Sequence, residues 1–281
     1  MVKIDEFQSV FRAAEREPFV YEMPPLGRVA LVTDREHGNP DATREQVARF
    51  LPALAASDWT TVVVDDCETV DGVVRAVEAA RPDLIVAFRH LGEAALVPQH
   101  SLGVYLDVLT QVLAQPVLVL PGTAADRRTL DGTAQSTMVV TDHIRGERRL
   151  IGYAAAVSPP GSRLWLCHVE DDAAFKRYIG IIGQIPELDT DLARDRIDKT
   201  LRHEAEEYLA AAVAGLKAAG LDLEIAPHIT RGHRFGAFRD LVTDHQVDLL
   251  VVNTKDDEQL AMQGTAYALA VELDQTAQLL L

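Results

Sequence analysis

The sequence predicts an α/β protein made of two parallel-sheet domains in tandem, the first lacking one strand and one helix that the second has. Three observations carry this. Short apolar runs such as Val29–Val32, Leu84–Val86 and Leu249–Val251 alternate with stretches of helical periodicity, the pattern of strands buried on both faces beneath covering helices. Val32-Thr33-Asp34 returns as Val140-Thr141-Asp142. Asp83-Leu84-Ile85-Val86 returns as Asp248-Leu249-Leu250-Val251 at the same stage of its half, so one strand–helix plan is used twice. The first pair is offset by 108 positions and the second by 165, which places about 57 extra residues inside the second half.

The elements follow in order. Residues 1–26 form an N-terminal extension in which Ile4, Phe7, Val10 and Phe11 fall at helical spacing before Pro18, Pro24 and Pro25 stop the pattern. The first domain, 27–124, begins with a strand through Val29–Asp34, followed by a helix from about Ala42 with Asp41 as its N-cap. Strands over 60–64, 84–88 and 116–120 alternate with helices over 70–80 and 104–113. A loop with Gly122, Asp126, Asp131 and Gly132 leads to the second domain, 136–281. There the inserted residues carry a long amphipathic helix, with Ile197, Leu201, Tyr208, Leu209, Ala212, Val213 and Leu216 on one stripe, closed by Gly220. A further strand over 223–229 follows it, for a total of five strands and four helices in this half.

Composition excludes several functions. Acidic residues outnumber basic ones 43 to 27, a formal net charge of -16, which repels a nucleic-acid backbone. No apolar stretch reaches the roughly 18 residues of a membrane span, so a cytoplasmic protein is expected. Cys67 and Cys167 sit singly in apolar runs, which speaks for buried thiols and against a disulfide framework. Ser101 and Ser162 lack a Gly-x-Ser-x-Gly setting, so no catalytic residue is assigned.

In an open, doubly wound sheet, ligands bind beyond the carboxyl ends of the strands. Those ends carry Asp142-His143, His168-Val169-Glu170-Asp171, Arg231 to His233, and Asn253 to Asp257. His143, His168 and His233 with Asp142 would make a metal-dependent site if they converged, but no short ligand spacing supports one and no metal is assigned.

The order of elements, the strand-end aspartates Asp34 and Asp142, the His168-Val169 strand end, Asp248 to Val251 and the Gly264-Thr265 pair before the last strand resemble the universal stress protein family. The resemblance implies a Rossmann-like fold of the adenine nucleotide alpha hydrolase-like kind and an adenine nucleotide, ATP, ADP or AMP, at Asp142, Val169, Asn253, Gly264 and Thr265, and at Asp34 in the first half. It also implies that the last strands of the two halves pair as an internal pseudo-dimer, with a homodimer as a further assembly.

The family's ATP-binding loop runs Gly-x2-Gly-x9-Gly-Ser/Thr, and this chain departs from it in both halves. Asn253 and Asp256 stand where the first two glycines would, with Asp257 and Glu258 beside them. These carboxylates oppose a triphosphate by about 1 kcal/mol per charge pair even in water. In the first half Phe88 and Leu91 replace the glycines, and Arg89 and Lys255 are the cations left to meet phosphate. The reading that follows is a non-enzymatic regulatory or adaptor protein. Its alternative is a nucleotide-binding stress-response protein with a divergent loop.

Overall fold

The computed structural model describes residues 19–92, 101–121, 130, 132–141, 148–185, 189–254 and 264–281. The expected N-terminal helix lies outside them. The first half holds β1 (Arg28–Thr33), α1 (Pro40–Phe50), β2 (Asp58–Val63), α2 (Val70–Ala80), β3 (Leu84–Ala87), α3 (Val104–Val112) and β4 (Val117–Val119). The second holds β5 (Ser136–Thr141), α4 (Arg148–Val157), β6 (Arg163–Asp171), α5 (Asp172–Ile182), α6 (Thr190–Ala218), β7 (Glu224–Gly232), α7 (Arg234–Asp244), β8 (Leu249–Val252), α8 (Gly264–Glu272) and β9 (Ala277–Leu280).

All nine strands form one sheet in the order β2-β1-β3-β4-β9-β8-β5-β6-β7. Within each half the strands are parallel, and among the described residues the one antiparallel pairing is the seam where β4 meets β9. At the seam Val117 faces Leu280, Leu118 faces Leu279 and Val119 faces Gln278, all nearly without solvent exposure. Strands that look like sheet edges within their own halves thus occupy the middle of the molecule, and β2 and β7 are the true edges.

The two halves share local geometry as well as winding. Asp83 accepts a hydrogen bond from the Arg28 amide at 2.9 Å, and Asp248 accepts from the Ser136 amide at 3.0 Å. Each carboxylate thereby fixes the start of the first strand of its half. Two residues before each aspartate the chain turns through left-handed backbone, at Arg81 (φ 47°) and Gln246 (φ 48°). A single conformation at matching positions is what repetition of one plan requires.

Two apolar layers sandwich the sheet. On one face α1, α4 and α6 supply Val47, Phe50, Ile151, Leu209 and Leu216 against Leu31, Leu118, Val139 and Leu279. On the other α2, α3, α7 and α8 supply Val73, Val77, Leu109, Phe238 and Leu269 against Ile85, Val119 and Leu250. Phe19 lies across α6 at Gly215, so closely that a Cβ there would collide with its backbone and ring. Only a glycine lets the incoming chain cross the helix at this point.

The structure changes two sequence expectations. Asn39, rather than Asp41, caps α1, its side chain accepting from the Asp41 amide at 2.9 Å. Pro40 has no N–H and a φ suited to the first helical position, so the helix begins two residues early. The second half also carries a fifth helix, α5, capped by Asp171 through the amides of Ala173 and Ala174. Its buried face is only Phe175 and Ile179, too short a stripe to stand out in the sequence. The insertion is therefore α5, α6 and β7 together.

Candidate functional site

In each half the winding reverses beside the first strand. β1 lies between β2 and β3, and β5 lies between β6 and β8. The crevices beyond the carboxyl ends of β1 and β3, and of β5 and β8, are where a ligand of such a sheet sits.

In the first half Asp34 ends β1 and is buried. Its Oδ1 accepts from the amides of Glu36 (2.9 Å) and His37 (2.8 Å) and from His37 Nδ1 (2.7 Å), and its Oδ2 accepts from the Gly92 amide (2.9 Å). Burial pushes its pKa up, but the Gly92 amide and the His37 ring and amide outweigh this and hold it below the usual carboxylate range. The carboxylate is thus spent on its own chain: it shapes the turn after β1 and pins the loop after β3. The His37 ring stacks on Phe88 with centroids 4.4 Å apart, so the residue in the first-glycine position packs inward. Gly92 has a left-handed φ of 64°, and a Cβ there would press on Tyr105 at 3.3 Å.

Asp34→Asn is expected to cost about 1–3 kcal/mol at pH 7, since a buried charged acceptor becomes a neutral one. A lowered folded pKa stabilises above the unfolded value near 3.9 and loses its effect as pH falls through the folded value. The stability gap between wild type and variant should therefore close below about pH 4. Urea melts at pH 7, 5 and 3 measure it, and a gap independent of pH would contradict the assignment.

Arg89 is almost fully buried. Its Nη1 donates to the carbonyls of Leu120 (3.0 Å) and Asp274 (3.5 Å), and its Nη2 to that of Ala270 (2.9 Å). Burial pulls its pKa down to about 10, with the Asp274 charge acting the other way. The guanidinium binds the first half to the end of α8 in the second and does not offer the phosphate contact its position in the sequence suggested.

In the second half Asp142 and His143, together with Lys255, Asp256, Asp257 and Glu258, lie outside the described residues. Val169 is buried and its carbonyl accepts from Arg234 Nε at 3.3 Å. Asn253 follows β8 beside Thr254, whose amide and hydroxyl both donate to the Leu281 carbonyl, at 2.7 and 2.6 Å. Gly264 and Thr265 open α8, and among the described residues nothing lies within 4 Å of a Cβ built on Gly264. His168 is buried with Nε2 3.4 Å from Glu170. That bond, opposed by burial and helped by Arg234 and Arg231, holds Glu170 below the usual carboxylate range. His168, Glu170, Asp198 and Arg231 enclose a cavity of about 20 Å³, the size of one water. His233 sits at the N-cap of α7. Among the described residues no group of three or more His, Cys, Asp or Glu side chains is set to hold a metal.

No family model and no curated protein matches the sequence. Solved structures do match. A putative universal stress protein from Pseudomonas aeruginosa UCBPP-PA14 aligns at TM-score 0.52 and 13% identity, covering 92% of this chain and 94% of its own. A universal stress protein from Archaeoglobus fulgidus DSM 4304 aligns at TM-score 0.52 and 10% identity, over 89% of this chain and 95% of its own.

The chain has the universal stress protein fold.

A functionally unknown protein from Pseudomonas aeruginosa PAO1 shares it at TM-score 0.50 and 14% identity, over 90% of this chain and 81% of its own. Set on the universal stress protein fold, the first half presents Asp34, Phe88 and Arg89 at the crevice, each engaged with its own chain. In the second, Asn253 follows β8 and Gly264 and Thr265 open α8, while Val169 lies near the end of β6, with β5 between it and β8. The sequence reading missed His37, Gly92 and Arg234 as the partners that occupy these groups. His37, three residues after Asp34 in a turn, was the one local signal. Cys167 is buried, its thiol pushed up to about 12 by burial, and so is inert at neutral pH.

Among the described residues no helix is long and apolar enough to cross a membrane.

Proposed function

We propose that this chain is a non-enzymatic regulatory or adaptor protein of the universal stress protein kind, working in the cytoplasm, that does not hold ATP tightly. The observation that carries the reading is the occupied first-half crevice. The Asp34 carboxylate takes four bonds from its own chain, and the Arg89 guanidinium is committed to the seam. A nucleotide entering there would have to break these bonds, each worth roughly 1.5–3 kcal/mol where a charged group is involved. The matched left-handed turns and strand-start carboxylates support descent of both halves from one duplicated unit. They also support reading the β4–β9 seam as a pseudo-dimer within a single chain.

Titration calorimetry and thermal melts with ATP and magnesium test the proposal. The expected result is no heat and no stabilisation at millimolar ATP, whereas a ligand at 100 times its Kd stabilises by about 2.7 kcal/mol. Stoichiometric binding at micromolar ATP would overturn it. That outcome would favour the second reading, an adenine-nucleotide-binding protein using Asn253, Gly264 and Thr265, for which the place of the Gly264-Thr265 pair at the start of α8 speaks.

A further inference from the structure

The near-twofold relation between the halves places two equivalent sockets on the seam, and they are filled differently. In the first, the residue two positions beyond β3 is Arg89, whose guanidinium reaches the carbonyls of Leu120, Ala270 and Asp274. The residue two positions beyond β8 is Thr254. Its neighbours are the counterparts of Arg89's three acceptors. Leu281 bonds Val252 through its amide as Leu120 bonds Ala87. The C-terminal turn of α3 matches that of α8, with Leu113 bonded to Leu109 as Leu273 is to Leu269. Counted from those pairs, Thr110 and Ala114 stand where Ala270 and Asp274 stand.

Thr110, Ala114, Leu281 and Thr254 together line a cavity of about 200 Å³, the share of roughly seven liquid waters. Threonine is too short to bridge it, and its hydroxyl and amide reach only the Leu281 carbonyl. Among the described residues no side chain is seated on the carbonyl of Thr110. The rim adds a feature the first socket lacks. Arg149 of α4 projects there, donating to the Ala114 carbonyl at 3.2 Å and lying 5.5 Å over the Tyr153 ring. Its counterpart in the first half is Asp41, which pairs instead with Arg44. Gln115 and Asn253 also line the cavity, and among the described residues none of its lining side chains is acidic.

We propose that this second socket binds a small guanidino acid. Its guanidinium would sit on the helix-end carbonyls as that of Arg89 does in the twin socket, and its carboxylate would meet Arg149 at the rim. A helix C-terminus presents carbonyls and the negative end of its dipole, which select a cation with several donors. A fixed arginine selects a carboxylate. A ligand carrying both at the two ends of a short aliphatic stem satisfies the socket.

The test uses the full chain and three probes of similar size: L-arginine, agmatine, which lacks the carboxylate, and L-citrulline, which lacks the charge. Calorimetry is expected to show one saturable site for L-arginine and binding weaker by about tenfold or more for each of the others, a tenfold change being 1.4 kcal/mol. Thr254→Arg, which supplies the missing guanidinium, is expected to abolish L-arginine binding and to raise the melting temperature. Arg149→Met is expected to reduce L-arginine to the level of agmatine while leaving agmatine binding no weaker, and it decides the matter even if the Thr254 variant fails to fold. No heat from L-arginine at 10-fold the protein's millimolar concentration range, equal binding of L-citrulline, or undiminished binding to Thr254→Arg would each overturn the proposal. None of these outcomes depends on whether ATP binds.

Discussion

Replacing Arg89 by methionine is expected to lower stability by about 3–5 kcal/mol, because buried carbonyls that lose their donor cost about 1–3 kcal/mol each. Methionine keeps most of the aliphatic stem, so the loss would report the missing donors more than a cavity. The bonds it removes join residues far apart in the chain, Arg89 to Leu120 and to Ala270. With a charge-assisted donor on each carbonyl, the contact acts as a clamp between the end of α8 and the loop after β3. Arg89→Lys should fall between wild type and methionine, since one ammonium cannot span carbonyls arranged for a planar fork. Urea or thermal melts measure the effect, which at about 2–4 °C per kcal/mol amounts to roughly 6–20 °C in melting temperature. A methionine variant within about 1 kcal/mol of wild type would show that water replaces the guanidinium without loss.

Leu118→Ala at the centre of the seam is expected to cost about 2–5 kcal/mol, the range for truncating a fully buried leucine that leaves a cavity. Leu118 and Leu279 face one another across β4 and β9, both in the same apolar layer and both almost unexposed. Leu279→Ala should cost a similar amount. The double variant should depart from additivity by about 0.5–3 kcal/mol, because the two side chains share one cavity. Melts followed separately by far-ultraviolet dichroism and by Trp59 and Trp165 fluorescence should coincide, one tryptophan reporting each half. Two separate transitions in the wild-type chain would show that the seam does not couple the halves.

How much of this was legible in the sequence follows the range of the interactions involved. Asp83 and Asp248 each begin a short apolar strand in a repeated motif, and the motif alone located β3 and β8. The helix over 70–80 was readable to the residue, because Thr69 caps it and Val73, Val74 and Val77 recur at helical spacing. The stripe ending at Leu216 and Gly220 marked α6 in the same way. Helix α5 was not readable, because Phe175 and Ile179 are its whole buried face, and the large apolar residues Tyr178 and Ile181 are exposed. Asp41 looked like a cap because capping chemistry is shared by Asn and Asp, and the adjoining proline decided for Asn39.

The site was legible only as a set of positions. Asp34 was found as a strand-end carboxylate. That its second oxygen binds the Gly92 amide, 58 residues on, has no local signature. Arg89 was read only as a cation that could reach phosphate, a weak signal, for the same reason. Its partners at Ala270 and Asp274 are set by the antiparallel seam, which no local pattern encodes.

The order of synthesis gives the seam a further meaning. β4 leaves the ribosome early, yet the strand that covers it, β9, follows roughly 160 residues later, which at about 5–20 residues per second is on the order of 10–30 s. During that interval the Val117–Val119 edge is an uncovered apolar strand of the kind that recruits neighbouring chains. At three residues it is among the shortest strands in the protein. Its brevity limits the template it offers to other nascent chains until its own partner arrives.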